Sequence, residues 1–263
     1  WVILSLMNSC IVSAYHLLKK NRIDFFKRSF GIAATFGLVA SVLVIVIGTF
    51  HAERVAITQP TKFAAMESVW DTQKGAAYNL LVIPDTENER NAIEAIGIPK
   101  FLSWLAFHDW DAEIKGLKEF PKEERPPVVP VFFSFRIMAA LGFLFVLLSL
   151  MATVMSGKHN LEDSRWFLKV MLFAIPLPYL ANQLGWLVAE LGRQPWIVYG
   201  LLKTSDAVSK AISVPQVVAS LIGFTLLYGM LAAVDIYLLT TYAKKGPDDD
   251  LSAILKVSRN QEV

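Results

Sequence analysis

The chain has 263 residues, of which 54% are hydrophobic and 18% charged, and its formal net charge is +2 at pH 7. A mean hydropathy of +0.46 is far above that of a water-soluble domain, so the charged residues must be segregated from long apolar stretches. Two features argue against nucleic-acid binding: the net charge is small, and the basic residues form no stripe interleaved with aromatic residues. The single cysteine, Cys10, excludes a disulfide or a CxxC redox pair within the chain.

Four apolar stretches have the roughly 20 residues that a bilayer-spanning helix needs. They are residues 29–50, 128–155, 167–191 and 214–242. The apolar run 1–18 is shorter and has neither an initiator Met nor a signal-peptide pattern, which predicts a helix cut in the middle. The sequence therefore predicts an all-α integral membrane bundle of about four full transmembrane helices, plus one truncated amino-terminal helix.

The basic run KKNRIDFFKR, residues 19–28, sets the predicted orientation, because the positive-inside rule places it in the cytoplasm. Residues 51–127 are then extracytoplasmic, and acids outnumber bases there, as this orientation requires. By the same alternation, the turn 158–165 is cytoplasmic, 192–213 is extracytoplasmic and the tail 244–263 is cytoplasmic. The tail carries the basic residues expected on that side: Lys244, Lys245, Lys256 and Arg259.

This topology divides the chain into four parts. They are the partial first helix, basic turn and second helix (1–50), the extracytoplasmic loop (51–127), a three-helix part (128–243) and the cytoplasmic tail (244–263). The loop is longer than most unstructured connections, and loops of that length are usually functional or disordered. Its aromatic residues predict amphipathic helices on the membrane surface, with or without a ligand: Trp70, Phe101, Trp104, Phe107 and Trp110.

Charged residues inside a membrane span are costly and so mark candidate functional sites. Lys169 lies close enough to the end of its span to reach the interface, and Asp235 could serve structure or proton handling equally well. Arg136 lies near Met138, whose thioether could ligate haem iron, although most methionines in apolar helices only pack. Glu190 could bind a metal, carry a proton or pair with a nearby arginine.

The predicted topology brings two of these candidates to a similar depth. Met138 begins an inward-going helix and Glu190 ends an outward-going one, so both lie near the outer surface and beneath the long loop. Redox centres placed there would be within reach of a substrate bound under that loop.

Three segments together resemble subunit I of the cytochrome bd-type quinol oxidases. They are QPTKFAAMES (59–68), FSFRIM (133–138) and GWLVAELGRQPW (185–196), with similar flanking text in FKRSFGIAATFG and AIPLPYLANQLGW. The match follows the family's order through nearly the whole chain and covers the carboxyl-terminal part of that subunit, in the form with the shorter loop.

The resemblance implies a membrane enzyme that oxidises menaquinol or ubiquinol and reduces dioxygen to water. Its cofactors would be a low-spin haem b, a high-spin haem b and a haem d, or a further haem b in place of haem d. Lys62 and Glu67 match the family's quinol-binding positions. A cation can bond a quinol oxygen and a carboxylate can accept its proton, so the two residues would flank the head group.

The same resemblance assigns the haem positions. Met138 would be an axial ligand of the low-spin haem b, with Arg136 beside it, and Glu190 would be the axial ligand of the high-spin haem b. Trp186 would lie between the haems, and Arg193 would face haem propionates.

The chain contains no histidine that could complete these sites. In the family, the histidine partners of Met138 and of haem d lie on earlier helices, and the four histidines here, His16, His51, His108 and His159, fall elsewhere in the topology. The expected partners are therefore the amino-terminal part of subunit I, on the same or another chain, together with subunit II and membrane lipid. Two alternatives stay open: a transporter or ion-pathway protein with a relay of Arg136, Glu190 and Asp235, and a non-catalytic structural subunit.

Overall fold

The structure is a computed structural model that describes residues 2–157, 161, 164–209 and 211–246. It divides into two compact units, Trp1–Val208 and Ser209–Val263. His159 and the tail residues Lys256 and Arg259, which entered the predicted topology, lie outside the described residues.

The first unit contains seven helices in its described residues. They are α1 (Val2–Leu18), α2 (Ile23–Thr58), α3 (Pro60–Glu67), α4 (Phe101–Phe107), α5 (Val128–Gly157), α6 (Arg165–Phe173) and α7 (Pro176–Leu191). Its strands are β1 (Gln73–Lys74), β2 (Tyr78–Asp85), β3 (Arg90–Ile98), β4 (Glu113–Ile114), β5 (Trp196–Val198) and β6 (Leu202–Lys203). Two 3-10 turns span Leu117–Glu119 and Lys122–Glu124, and α8 (Val214–Lys245) belongs to the second unit.

The four predicted spans are confirmed. Four helical stretches of the described chain are long and apolar enough to cross a membrane, Ile23–Thr58, Lys122–Gly157, Arg165–Leu191 and Val214–Lys245, and each contains one predicted stretch. The first apolar run is helical from Val2 to Leu18. The prediction of a helical membrane bundle therefore holds for the described residues.

A continuous apolar core joins the helices of the first unit. Helix α1 packs along α2, α2 packs on α5, and α5 packs on α7, while α6 closes on α1. The fully buried side chains at this junction are bulky: Phe30, Leu161, Phe167, Leu168 and Met171. Because lipid is as apolar as these side chains, close packing rather than exclusion from water holds such helices together.

The third span is broken where one continuous helix was predicted. Helix α6 ends at Phe173, and α7 begins at Pro176 in its first turn. Proline has no backbone N–H to donate and its ring clashes with the preceding turn, so the first turn of a new helix is the position that accommodates it.

The long loop differs from the predicted set of surface helices. Helix α2 continues to Thr58, so residues 51–58 are helical, and β2 and β3 form an antiparallel hairpin while β1 pairs with β4. Of the segments that carry the predicted aromatic anchors, α4 is helical, whereas Trp70 is only 5% exposed and packs in an apolar core of the loop. This core includes residues of α3, α4 and the first turn of α5, and it fixes the loop to the bundle.

Candidate functional site

The short helix α3 carries both candidate quinol residues and ends in a Schellman motif. The N–H of Val69 donates to the carbonyl of Ala64 at 2.8 Å, and the N–H of Ser68 donates to that of Ala65 at 3.4 Å. Ser68 adopts the left-handed region at φ 54, a position that favours glycine. This ending fixes the backbone at Glu67, the last residue of the helix.

Glu67 forms an ion pair with Arg136 of α5. The distance from Arg136 Nη2 to Glu67 Oε2 is 2.6 Å, and the two side chains are 15% and 3% exposed. Burial raises the pKa of Glu67 to about 7, because the ionised form is poorly solvated there, and the charge of Arg136 only partly opposes this rise. A carboxyl group with this pKa can accept and release a proton near neutral pH.

Arg136 is also held by aromatic rings. Its guanidinium carbon lies 4.5 Å from the ring centroid of Tyr78 and 5.2 Å from that of Phe132, within the range of cation–π contacts. Its buried Nε has no hydrogen-bond partner among the described residues. Burial and the charge of Glu67 raise the pKa of Tyr78, so this phenol stays protonated beside the ion pair.

Lys62, on the same helix, lies against the end of α7. Its Nζ donates to the carbonyl of Ala189 at 3.5 Å, and a Cβ added to Gly192 would lie 3.0 Å from its Cγ. Burial lowers the pKa of Lys62, as does the charge of Arg193, while Glu190 acts in the opposite direction. A candidate quinol residue, Lys62, is therefore close enough to a candidate haem ligand, Glu190, for the charge of Glu190 to act on the pKa of Lys62.

Glu190 and Arg193 form an ion pair one helical turn apart at the end of α7. Both side chains are partly exposed, and the buried Nε of Arg193 has no hydrogen-bond partner among the described residues. The carboxylate is thus available at the surface of this unit, with the cation of Arg193 paired to it. The pairing with Arg193 matches one of the three predicted roles, and the exposed carboxylate is compatible with the other two, metal ligand and proton carrier.

Met138 and Trp186 line one cavity of about 800 Å³ between α2, α5 and α7. Most of its wall is apolar. Helices α5 and α7 approach each other closely there, since Gly185 has no side chain; a Cβ at that position would lie only 3.0 Å from Met138 Sδ. Ser41 also lines the cavity, and its buried hydroxyl has no hydrogen-bond partner among the described residues. Thr35 and Thr58, on the same helix, bond instead to carbonyls of the preceding turn.

The family described as cytochrome bd terminal oxidase subunit I matches residues 2–247. The chain belongs to this family. It is 37% identical over 249 residues to "Cytochrome bd ubiquinol oxidase subunit 1" of Bacillus subtilis, covering 91% of this chain and 53% of that protein. It is 31% identical over 302 residues to "Cytochrome bd-II ubiquinol oxidase subunit 1" of Escherichia coli, covering 90% of this chain and 58% of that protein.

A solved structure supports the same assignment. The bd oxidase from Geobacillus thermodenitrificans matches with a TM-score of 0.77 and 28% sequence identity, covering 93% of this chain and 56% of that chain. The chain therefore spans about half the length of the relatives it matches. Together with the four candidate spans, membership of the cytochrome bd family identifies a bacterial membrane protein and implies haem cofactors.

The cavity at Met138 fits a haem group. Ligand cavities commonly measure about 300–1,000 Å³, with mostly apolar walls and few polar groups. This cavity has that size, a thioether in its wall and the unbonded hydroxyl of Ser41. Among the described residues that line this cavity, Met138 is accompanied by no His, Cys, Asp or Glu side chain.

The structure brings together site residues that were predicted to belong to separate sites. Arg136, predicted beside Met138, pairs with Glu67 and so links the two predicted sites. Tyr78 and Ser41 were not predicted, because a tyrosine in a strand and a serine in an apolar helix carry no distinctive motif. Asp235, the third member of the alternative charge relay, lies on α8 in the second unit.

Proposed function

We propose that this chain contributes the quinol loop and two haem axial ligands to a respiratory oxidase that couples quinol oxidation to the reduction of dioxygen to water. The observation that carries this proposal is the ion pair of Glu67 and Arg136, which joins the candidate quinol helix to the helix of Met138. The remaining ligands would come from the amino-terminal part of subunit I, on the same or another chain, in an assembly with subunit II and membrane lipid.

Lys62 and Glu67 would bind the quinol head group. Lys62 would donate a hydrogen bond to one quinol oxygen, and the lowered pKa of its ammonium group reflects a site poor in water. Glu67 would accept the proton of a quinol hydroxyl, for which a pKa of about 7 is well matched. Menaquinol and ubiquinol both present such hydroxyl groups, and either could be the substrate.

Met138 would hold the low-spin haem b through its thioether, and Glu190 the high-spin haem b through its carboxylate. Arg136 and Arg193 each retain a buried Nε that could donate to a haem propionate, and Trp186 lines the same cavity as Met138. When bound, these haems and a haem d, or a further haem b, supply electron transfer and oxygen reduction. The chain's own residues would position them and exclude water.

The proposed location is the bacterial cytoplasmic membrane, with the loop (51–127) outside and the tail (244–263) in the cytoplasm. Quinol protons would then leave on the outer side, while protons for water formation enter from the cytoplasm. Family membership and the use of Arg136 and Glu190 in separate ion pairs favour this proposal over a charge-relay transporter.

Haem spectra and quinol oxidation by the complex purified from its native membrane test the proposal. We expect absorbance of reduced haem after addition of dithionite, together with oxygen consumption driven by quinol. A band of reduced haem d would distinguish that cofactor from a further haem b. A complex that lacks haem absorbance, or that has haem but does not oxidise quinol, would contradict the proposed function.

Gly185→Ala is expected to disturb the low-spin haem b selectively. The added methyl group would lie 3.0 Å from Met138 Sδ, so the thioether must move by a few tenths of an ångström. We expect a shift in the midpoint potential of the low-spin haem, measured by redox titration of its absorbance. Gly48→Ala is the matched control, because a Cβ there meets no atom within 4 Å; equal shifts in both variants would contradict the proposed ligand.

A further inference from the structure

A second cavity, of about 340 Å³, adjoins Glu67 outside the bundle. It lies between the end of α3, the β2–β3 hairpin and α4, and its walls are mostly polar. The lining residues that matter here are Glu67, Ser68, Asp71, Arg90, Asn91 and Glu94. A polar cavity of this size has room for several water molecules. A quinol ring is apolar, so this cavity suits water better than the ring.

Asn91 fixes the wall of this cavity through hydrogen bonds in two directions. Its Oδ1 accepts from Ser68 Oγ at 2.6 Å and from Trp70 Nε1 at 3.0 Å. Its Nδ2 donates to the Ser68 carbonyl at 2.9 Å and to Glu94 Oε1 at 2.5 Å. The network therefore connects the residue that follows Glu67 with a carboxylate at the exposed edge of the hairpin.

We propose that this cavity is the exit path by which quinol protons leave Glu67 for the outer aqueous phase. The inference rests on the proposed quinol oxidation, in which each quinol loses two electrons and two protons and the oxidised haem groups of the assembly accept the electrons. As a quinol O–H bond breaks, the Glu67 carboxylate takes the proton. Glu67 then gives that proton to water in the cavity, and the proton passes the Glu94 carboxylate to solvent, which restores the ionised base.

The charges around Glu67 favour transfer in this direction. Arg136 of α5 pairs with Glu67, and Tyr78 of β2 lies against that guanidinium. Asp71, Arg90 and Glu94 line the cavity, and Asp71 is paired with Lys118. The cation of Arg136 repels an excess proton from the bundle, while the Glu94 carboxylate attracts it toward the cavity; the charge of Asp71 is largely offset by Lys118. Arg90 has its own partner in Asp85, at 3.8 Å.

Two variants of the assembled complex test this exit path. Asn91→Leu replaces the polar wall with an apolar one, and Ala77→Leu narrows the cavity without removing the Asn91 hydrogen bonds. Ala92→Leu is the matched control, since Ala92 is an exposed neighbour on β3 that does not line the cavity. Each complex is assayed for quinol turnover, for its solvent deuterium isotope effect, and for oxidation of an artificial one-electron donor that releases no proton.

We expect both cavity variants to lose quinol turnover by about tenfold and to show a larger isotope effect, because proton release becomes limiting. Oxidation of the artificial donor and the haem spectrum should match the parent and the control.

Parent-like quinol turnover in both variants would overturn the exit path, as would equal losses with quinol and the artificial donor. An effect in Asn91→Leu alone would assign the loss to the Ser68 hydrogen bonds and also overturn it. Failure of the proposed function differs from all of these, because the parent complex itself would then lack haem or quinol oxidation.

Discussion

Glu67→Gln is expected to lower quinol turnover by about 10²-fold or more while leaving haem content unchanged. Glutamine has nearly the same shape as glutamate and can still bond Arg136 Nη2, so α3 should keep its place against α5. It cannot accept a proton, however, and the quinol hydroxyl then loses its base. The measurement is quinol-driven oxygen consumption, compared with the reduced haem spectrum of the same sample.

The pH dependence of the parent complex follows from the same residue. The pKa of Glu67 is raised from 4.5 to about 7, so its carboxylate form, which accepts the proton, is lost as pH falls through about 7. Quinol turnover should therefore rise with pH through this window, and Glu67→Gln should abolish that rise. Because the folded pKa exceeds the unfolded value, ionisation of Glu67 also costs native stability as pH increases, and the variant is relieved of that cost.

Glu123→Gln is the matched control, because Glu123 is an exposed residue of the same loop. It should keep both the turnover and the pH profile of the parent. If Glu67→Gln also behaved like the parent, the assignment of Glu67 as proton acceptor would be wrong. If it lost haem as well as turnover, the residue would act on the fold of the site instead of the proton.

Met138→Leu is expected to abolish the absorbance of the low-spin haem b. Leucine and methionine have similar volumes, and such a swap usually costs less than about 1.5 kcal/mol, so the helix bundle should persist. Leucine has no sulfur, and the iron loses its soft axial ligand. We expect the other haem bands to remain in the reduced spectrum and quinol-driven oxygen consumption to stop.

Met151→Leu makes the same chemical change on the same helix, where Met151 packs against the core and does not line the Met138 cavity. This control should retain every haem band. A low-spin spectrum in Met138→Leu indistinguishable from that of Met151→Leu would remove Met138 from the ligand set. The loss of all haem bands in both variants would indicate a general weakening of α5.

Much of the candidate site could be predicted because its residues lie in contiguous motifs. QPTKFAAMES contains Lys62 and Glu67, FSFRIM contains Arg136 and Met138, and the last motif contains Glu190. The family resemblance drawn from these motifs is confirmed by the match over residues 2–247. The roles assigned to the individual residues stay predictions, and the variants above test them.

The contacts between motifs could not be predicted, because they join positions far apart in the chain. Glu67 and Arg136 meet across the boundary between loop and bundle, and only the docking of α3 on α5 brings them together. The hairpin of β2 and β3 was not predicted either, since the aromatic residues of the loop favour surface helices and carry no information about strand pairing. The cavity beside Glu67 depends on that hairpin.

The sequence by itself determined that this protein is a membrane helix bundle, where its spans lie and which family it belongs to. Span length and hydrophobicity are local properties, and they follow from the solvation of about 20 consecutive residues in lipid. The tertiary structure alone decided which charges are paired and which are buried. The pKa of about 7 at Glu67 is the clearest case. Burial among distant segments raises this pKa, and one arginine on another helix partly opposes the rise.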